Sequence, residues 1–98
     1  MENPVQIDFF QLKKTAVILR ALNHRLRQEI FKLLETRTKM TVTEIYQQLH
    51  LEQSVASQHL ALLRRAGIVK TEREGKFVYY KLNHERIGQI VRSIKELN

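Results

Sequence analysis

The stretch Thr41-Val42-Thr43-Glu44-Ile45-Tyr46-Gln47-Gln48-Leu49-His50-Leu51-Glu52-Gln53-Ser54-Val55-Ala56-Ser57-Gln58-His59-Leu60-Ala61-Leu62-Leu63-Arg64-Arg65-Ala66 reads as two short helices joined by a tight turn. Thr41 stands three residues ahead of Glu44, just before an apolar-periodic run. That is the sequence form of a capping box, in which each side chain satisfies the other residue's backbone amide. The helix that starts there has Ile45 and Leu49 on one face, with Tyr46 beside them, and turns Glu44, Gln47 and Gln48 outward. After His50-Leu51-Glu52 a second helix, about Gln53 to Ala66, packs Val55, Ala56, Leu60 and Leu63 inward. Gln53, Ser54, Ser57, Gln58 and Ala61 face away, and Arg64 and Arg65 close the helix. Two helices joined this way form a helix-turn-helix.

Downstream the character of the chain changes. Ala66-Gly67 is a helix stop, because glycine takes the left-handed conformation without steric cost. The runs from Ile68 to Arg73 and from Phe77 to Leu82 are rich in β-branched and aromatic residues, and Glu74-Gly75-Lys76 between them is a short loop. The expectation is a β-hairpin, a wing from about Ile68 to Leu82. From Arg64 to Lys81 six basic residues (Arg64, Arg65, Lys70, Arg73, Lys76, Lys81) stand against two acidic ones, Glu72 and Glu74. Asn83 then caps a last helix with Ile87, Ile90, Val91, Ile94 and Leu97 on one stripe and Arg86, Gln89, Arg92, Ser93, Lys95 and Glu96 pointing away. Such a stripe fits either a cap on the domain's own core or a seam with a second copy.

Upstream, Asn3-Pro4 or Asp8 starts a first helix with the stripe Phe9, Leu12, Ala16, Leu19 and Leu22, widened by Val17 and Ile18. The stripe is wider than one packing partner needs, and Phe9 and Phe10 call for cover from the domain or from a second subunit. Asn23 caps the next helix, with Leu26, Ile30, Leu33 and Leu34 inward, Arg25, Arg27, Glu29 and Lys32 outward, and Glu29 near Lys32. Thr36 to Met40 reads as a polar link. The predicted architecture is mainly α with a small β-hairpin, α-α-α-α-β-β-α, a single domain over residues 1–98.

Composition bounds the class. At 43% hydrophobic and 28% charged, the chain has enough apolar content for a core. A domain of this size buries only a little over ~60% of its unfolded surface, so a partner subunit would help it. Seventeen Lys and Arg against ten Asp and Glu give a formal charge of +7, which favours a polyanion such as nucleic acid or an anionic membrane surface. The absence of cysteine excludes disulfides and thiolate metal sites. No apolar run approaches the roughly 18 residues of a transmembrane helix, and no leader-like segment opens the chain, so the expected location is cytoplasmic.

The outward face of the second motif helix carries short, uncharged hydrogen-bonding side chains, the type that reads base edges in a DNA major groove. In that reading Gln53, Ser54, Ser57 and Gln58 contact bases, while Arg64, Arg65, Arg73 and Lys76 hold phosphates. His59, within the same helix, either touches a phosphate or supports the packing of the turn. His24, His50, His59 and His84 show no metal-ligand spacing on one helix face, so no metal or cofactor is expected. Ser57 has no catalytic histidine and carboxylate pattern around it, and Gly-x-Ser-x-Gly is missing, which argues against an enzyme. A winged-helix module that docks on protein is the alternative, but Gln53, Ser54, Ser57 and Gln58 offer no aromatic or Met anchor. Duplex RNA fits less well, since its deep narrow groove excludes a helix.

Four segments together resemble the ArsR/SmtB family of bacterial winged-helix repressors. They are Ala21-Leu22-Asn23-His24-Arg25-Leu26-Arg27-Gln28-Glu29-Ile30, Leu51-Glu52-Gln53-Ser54-Val55-Ala56-Ser57-Gln58-His59-Leu60, Leu63-Arg64-Arg65-Ala66-Gly67-Ile68-Val69 and Arg73-Glu74-Gly75-Lys76-Phe77-Val78-Tyr79-Tyr80-Lys81-Leu82. The likeness spans about residues 12 to 97, and its Ser-x-His-Leu run with Arg-x-Gly-x-x-x-x-Tyr downstream is fairly specific. It implies a homodimer built through the first and last helices, a recognition helix in the major groove of double-stranded DNA, and a wing on the backbone or in the minor groove. It also implies repression by covering a promoter, with release by an effector that the sequence does not name. Metal-sensing members carry cysteines in or near the first motif helix, or paired carboxylate and histidine ligands on the last. Here residues 41–49 have no cysteine, and of the second pattern His84 and Glu85 supply only a fragment, with Glu96 alone near the end. The chain is similar to the cysteine-free, metal-independent branch. Glu52 replaces the usual serine or aspartate at the cap of the recognition helix, which suits the positive helix end but sets a carboxylate near a phosphate.

Overall fold

A computed structural model describes residues 9–97, the side chains of Phe9, Gln11 and Leu97 excepted. The elements run α1 (Phe9–Leu22), α2 (Arg25–Arg37), β1 (Lys39–Met40), α3 (Val42–Gln48), α4 (Gln53–Arg65), β2 (Val69–Glu74), β3 (Phe77–Leu82) and α5 (His84–Leu97). Helices α3 and α4 are the motif pair. Thr41 accepts the Glu44 amide at 3.2 Å, and the Glu44 carboxylate accepts the Thr41 amide at 2.9 Å, so the capping box is complete. His50 turns the chain between the two helices at φ 55, a left-handed geometry that an L-residue adopts at some cost. Ile45, Ala56, Leu60 and Leu63 are fully buried, as the apolar spacing requires.

The stop after α4 is a Schellman motif. Gly67 sits at φ 80, its amide bonds to Arg64 O at 2.9 Å, and the Ile68 amide bonds to Leu63 O at 2.9 Å. Ile68 and Leu63 are both buried, which is the apolar contact that accompanies this turn. The hairpin closes with Glu74 opposite Phe77, so its loop is the two residues Gly75 and Lys76 rather than three. Gly75 alone has positive φ there, at 63, as a two-residue turn with glycine first requires.

The link expected over Thr36 to Met40 is different in kind. Helix α2 continues to Arg37, and Lys39 and Met40 form a third strand, antiparallel to β3, with Lys39 opposite Lys81 and Met40 opposite Tyr80. The sheet order is β1-β3-β2, and the element order therefore gains one strand over the expected α-α-α-α-β-β-α. Met40, at 1% exposure, is drawn into the core by this pairing.

Four further expectations shift. The cap of α2 is His24, not Asn23: its Nδ1 accepts the Leu26 amide at 3.1 Å. Glu29 pairs with Arg25 one turn earlier, at 4.0 Å, instead of with Lys32. On α1 the buried residues are Thr15, Ile18 and Ala21, while Leu12, Ala16, Val17 and Leu19 are exposed, so the inner face is rotated from the predicted stripe. The helix is apolar on several sides, and contacts with α2, α4 and α5 decide which side turns inward. On α5, Ile90 and Ser93 are buried and Val91 is exposed. Ser93, expected outside, satisfies its hydroxyl on Gln89 O at 3.0 Å, which lets it sit at the helix contact. Asn83 does cap α5, its Oδ1 accepting the Arg86 amide at 3.2 Å. The start expected at Asn3-Pro4 or Asp8 lies outside the described residues.

Candidate nucleic-acid interface

Burying Ala56, Leu60 and Leu63 forces the opposite face of α4 outward, and Gln53, Ser54, Ser57 and Gln58 are all exposed there. None of the four carries a charge. Glu52 holds the N-cap backbone position at φ −72, ψ 148, but its side chain makes no capping bond. Its carboxylate is left to interact with the helix end only through the field.

At the other end of α4, Arg64 and Arg65 are exposed in the last turn. With Ser57, Ala61 and Tyr80 they line an open cleft of about 400 Å³ between α4 and the sheet. Tyr80 enters this cleft because β3 alternates: Tyr80 and Leu82 share the face of Met40 and Val69, while Tyr79 and Lys81 take the other. Two adjacent tyrosines on a strand must face opposite ways, and the register decides which of them faces the cleft. Arg73 and Lys76 are exposed further along the hairpin, with the Lys76 ammonium 5.5 Å from the centre of the Phe77 ring. The ion pairs among the described residues involve Arg25, Lys39 and Lys81, so Arg64, Arg65, Lys70, Arg73 and Lys76 have no carboxylate partner there.

Lys81 belongs to a different arrangement. On the far face of the sheet its ammonium lies 2.7 Å from Glu72, and Lys39 pairs with Glu74 and, at 3.5 Å, with Glu72. Lys39 also stands 4.8 Å from the centre of the Tyr79 ring. The hydrogen bond from Lys81 is the main cause holding the Glu72 carboxyl down to about 2. The bond to Glu74 likewise raises the Lys39 ammonium above its ordinary value. The count of six basic residues thus overstates the free positive charge of the wing.

His59 sits apart from its helix neighbours at positions 57 and 58. It is half-buried on the inner side of α4, with Nδ1 3.3 Å from Arg27 Nη1 and its ring centre 4.6 Å from that of His24. Arginine has no acceptor, so Nδ1 accepts. Burial first, then His24 and Arg27, lower the His59 pKa. The ring is therefore neutral near pH 7. His24 and His59, far apart in the chain, thus meet across α2 and α4, a contact that helix-face spacing does not reveal. Among the described residues no group of three or more His, Cys, Asp or Glu comes together as metal ligands.

Known proteins share this fold. A family model described as a helix-turn-helix domain matches residues 16–72. The transcriptional repressor PagR of Bacillus anthracis is 30% identical over 92 residues, covering 94% of this chain and 92% of PagR. Its crystal structure superimposes with a TM-score of 0.75 at 34% identity, over 93% of this chain and all of that one. The transcriptional activator HlyU of Vibrio cholerae is 34% identical over 84 residues, covering 86% of this chain and 77% of HlyU. An ArsR-like transcriptional regulator from Rhodococcus has the same fold, with a TM-score of 0.84 at 18% identity, covering 90% of this chain and 82% of that one. With recognition helix, wing and these relatives in agreement, the chain belongs to the ArsR family of winged helix-turn-helix transcriptional regulators.

Proposed function

We propose that the chain acts as a homodimeric, sequence-specific repressor that covers a palindromic operator. The observation that carries this reading is the junction of an exposed uncharged face on α4 with a cleft whose arginines have no carboxylate partner among the described residues. Gln53, Ser54, Ser57 and Gln58 read base edges in the major groove, and Arg64, Arg65, Arg73 and Lys76 hold phosphates and set register. His59 supports the reading helix from behind through Arg27. The second copy docks on α1 and α5, where Leu12, Leu19 and Val91 stand exposed at 43%, 54% and 45%. Two-fold symmetry then sets the half-sites about 10 to 10.5 base pairs apart, or a multiple of that. PagR, named a repressor, is covered over 92% of its length and HlyU, named an activator, over 77% of its own, and the fuller match to PagR is what supports repression.

Operator selection from a random duplex pool, followed by binding to selected and random DNA over a range of salt, tests the division of labour. Lys76→Ala should weaken binding to every sequence and reduce the salt slope by about one. Gln58→Ala should cost roughly 1 to 3 kcal/mol on the selected site only. Equal effects of both changes on both kinds of DNA would remove the assignment.

A further inference from the structure

Helix α1 carries exposed apolar residues on two nearly opposite sides. Leu12 and Leu19 mark one; Phe10 and Val17, two residues away in each case and so rotated by about 200°, mark the other. The second side faces the C-terminal half of α4, where Leu62 is 40% exposed. Two open hollows of about 250 and 290 Å³ flank Val17 there, and both are lined by Val17, Arg65 and Ala66. Together they form one furrow with an apolar floor that includes Ala21 and Leu62. Its rim holds Lys13, Lys14, Arg20, Arg27 and Arg86 besides Arg65, and among the described residues no acidic side chain lines it. Arg65 also borders the cleft beside Ser57 and Tyr80, so one guanidinium stands between the two concavities.

We propose that this furrow between α1 and α4 binds a small amphipathic carboxylate, and that the bound anion draws Arg65 away from the DNA-facing cleft. An apolar floor gains from burying a hydrocarbon or aryl group, and an all-cationic rim selects a negative head. Each hollow, at about 250 and 290 Å³, falls just short of the roughly 300–1,000 Å³ range of ligand sites and the two side by side fall within its lower half, which fits a medium-chain or aromatic acid rather than a bulky one. Arg27 is already committed to Ala21 O and His59, which leaves Lys13, Lys14, Arg20, Arg65 and Arg86 as donors, and of these Arg65 alone lines both hollows and so is placed to meet the head group. A guanidinium engaged by a carboxylate is unavailable to a phosphate, so anion and DNA oppose each other. The binding site stands on the furrow alone; its regulatory effect rests on the DNA reading above.

The test titrates the full chain with sodium octanoate and, separately, 1-naphthoate, followed by calorimetry and amide NMR shifts, with acetate and octylammonium alongside. One or both acids should bind saturably and shift the amides of Val17, Leu62 and Ala66, and which one does so names the source chemistry. Acetate lacks the apolar part and octylammonium has the wrong charge, so neither should bind. Val17→Glu, an exposed position, should abolish the binding, and Arg65→Gln should weaken it roughly tenfold. The acid should weaken DNA binding by the wild type and leave that of Val17→Glu unchanged, and DNA must weaken the acid's binding by the same factor. No saturable binding by either acid, equal uptake of octylammonium, or full binding by Val17→Glu would overturn the site. Dissociation of a dimer into monomers by Val17→Glu in sedimentation would overturn it too, since the furrow would then be the subunit seam. Saturable binding without any effect on DNA affinity would overturn the coupling. Acid binding by a chain with no affinity for duplex DNA would keep the site and remove only the repressor reading.

Discussion

The outward face of α4 and the far face of the sheet are both polar and solvent-facing, yet they are finished in opposite ways. On α4, Gln53, Ser54, Ser57 and Gln58 leave their hydrogen-bonding capacity to solvent, and Arg64 and Arg65 have no carboxylate nearby among the described residues. On the sheet, Lys39 and Lys81 spend their charge on Glu72 and Glu74 within the fold. A surface whose polar groups already have partners gains little from a ligand, whereas one with open valences gains whatever the ligand supplies. Formal charge therefore does not locate a binding face; unspent charge does.

The contrast depends first on the platform under α4. Leu60 is fully buried there, and Leu60→Ala should cost about 2–5 kcal/mol in urea unfolding. A loss well under 1 kcal/mol would mean that the core does not fix the orientation of the reading face. Next comes the box that starts α3, the helix against which α4 packs: Thr41→Ala should cost about 0.5–2 kcal/mol. Acid probes the opposite surface. Glu72 has its folded pKa lowered to about 2 from an ordinary 4.5, so its stabilisation is complete above 4.5 and drains away as pH falls toward 2. In Glu72→Gln the dependence of thermal midpoint on pH should flatten across that window; an unchanged profile would show that the sheet network contributes nothing. The smallest effect sharpens the comparison most. Lys81→Ala should leave the salt slope of DNA binding where it is, in contrast to the loss of about one for Lys76→Ala. An equal loss would show that the ion pairs open on DNA and that the two faces are not distinct.

Much of this was legible because it is local. The Thr41 and Glu44 box, the Gly67 stop and the two faces of α4 are each decided by residues within a turn of one another, and the chain shows them directly. Strand β1 was not legible, since Lys39 and Met40 are too few to show a period of two and gain their conformation from β3, about forty residues on. The rotation of α1 was missed for a related reason. Apolar residues on several sides give no unique phase, and the phase is chosen by the packing of α1 against α2, α4 and α5. The tilted ring contact of His24 with His59 and the Lys39, Glu72 and Lys81 network join residues distant in sequence, where spacing carries no signal. The candidate reading residues were legible as a helix face; that Tyr80 shares their cleft was not.

Strand β1 has a mechanical consequence. Through Lys39 opposite Lys81 and Met40 opposite Tyr80 it fastens the residue just before the Thr41 cap to the middle strand of the wing. The hairpin is thereby a braced arm whose offset from the recognition helix is set by the protein's own backbone. On the proposed mode of DNA binding, such an arm would measure the duplex like a caliper with a fixed jaw, so an inserted base pair between the groove contacted by α4 and the phosphates contacted by the wing should be rejected outright instead of being accommodated by a swing of the arm.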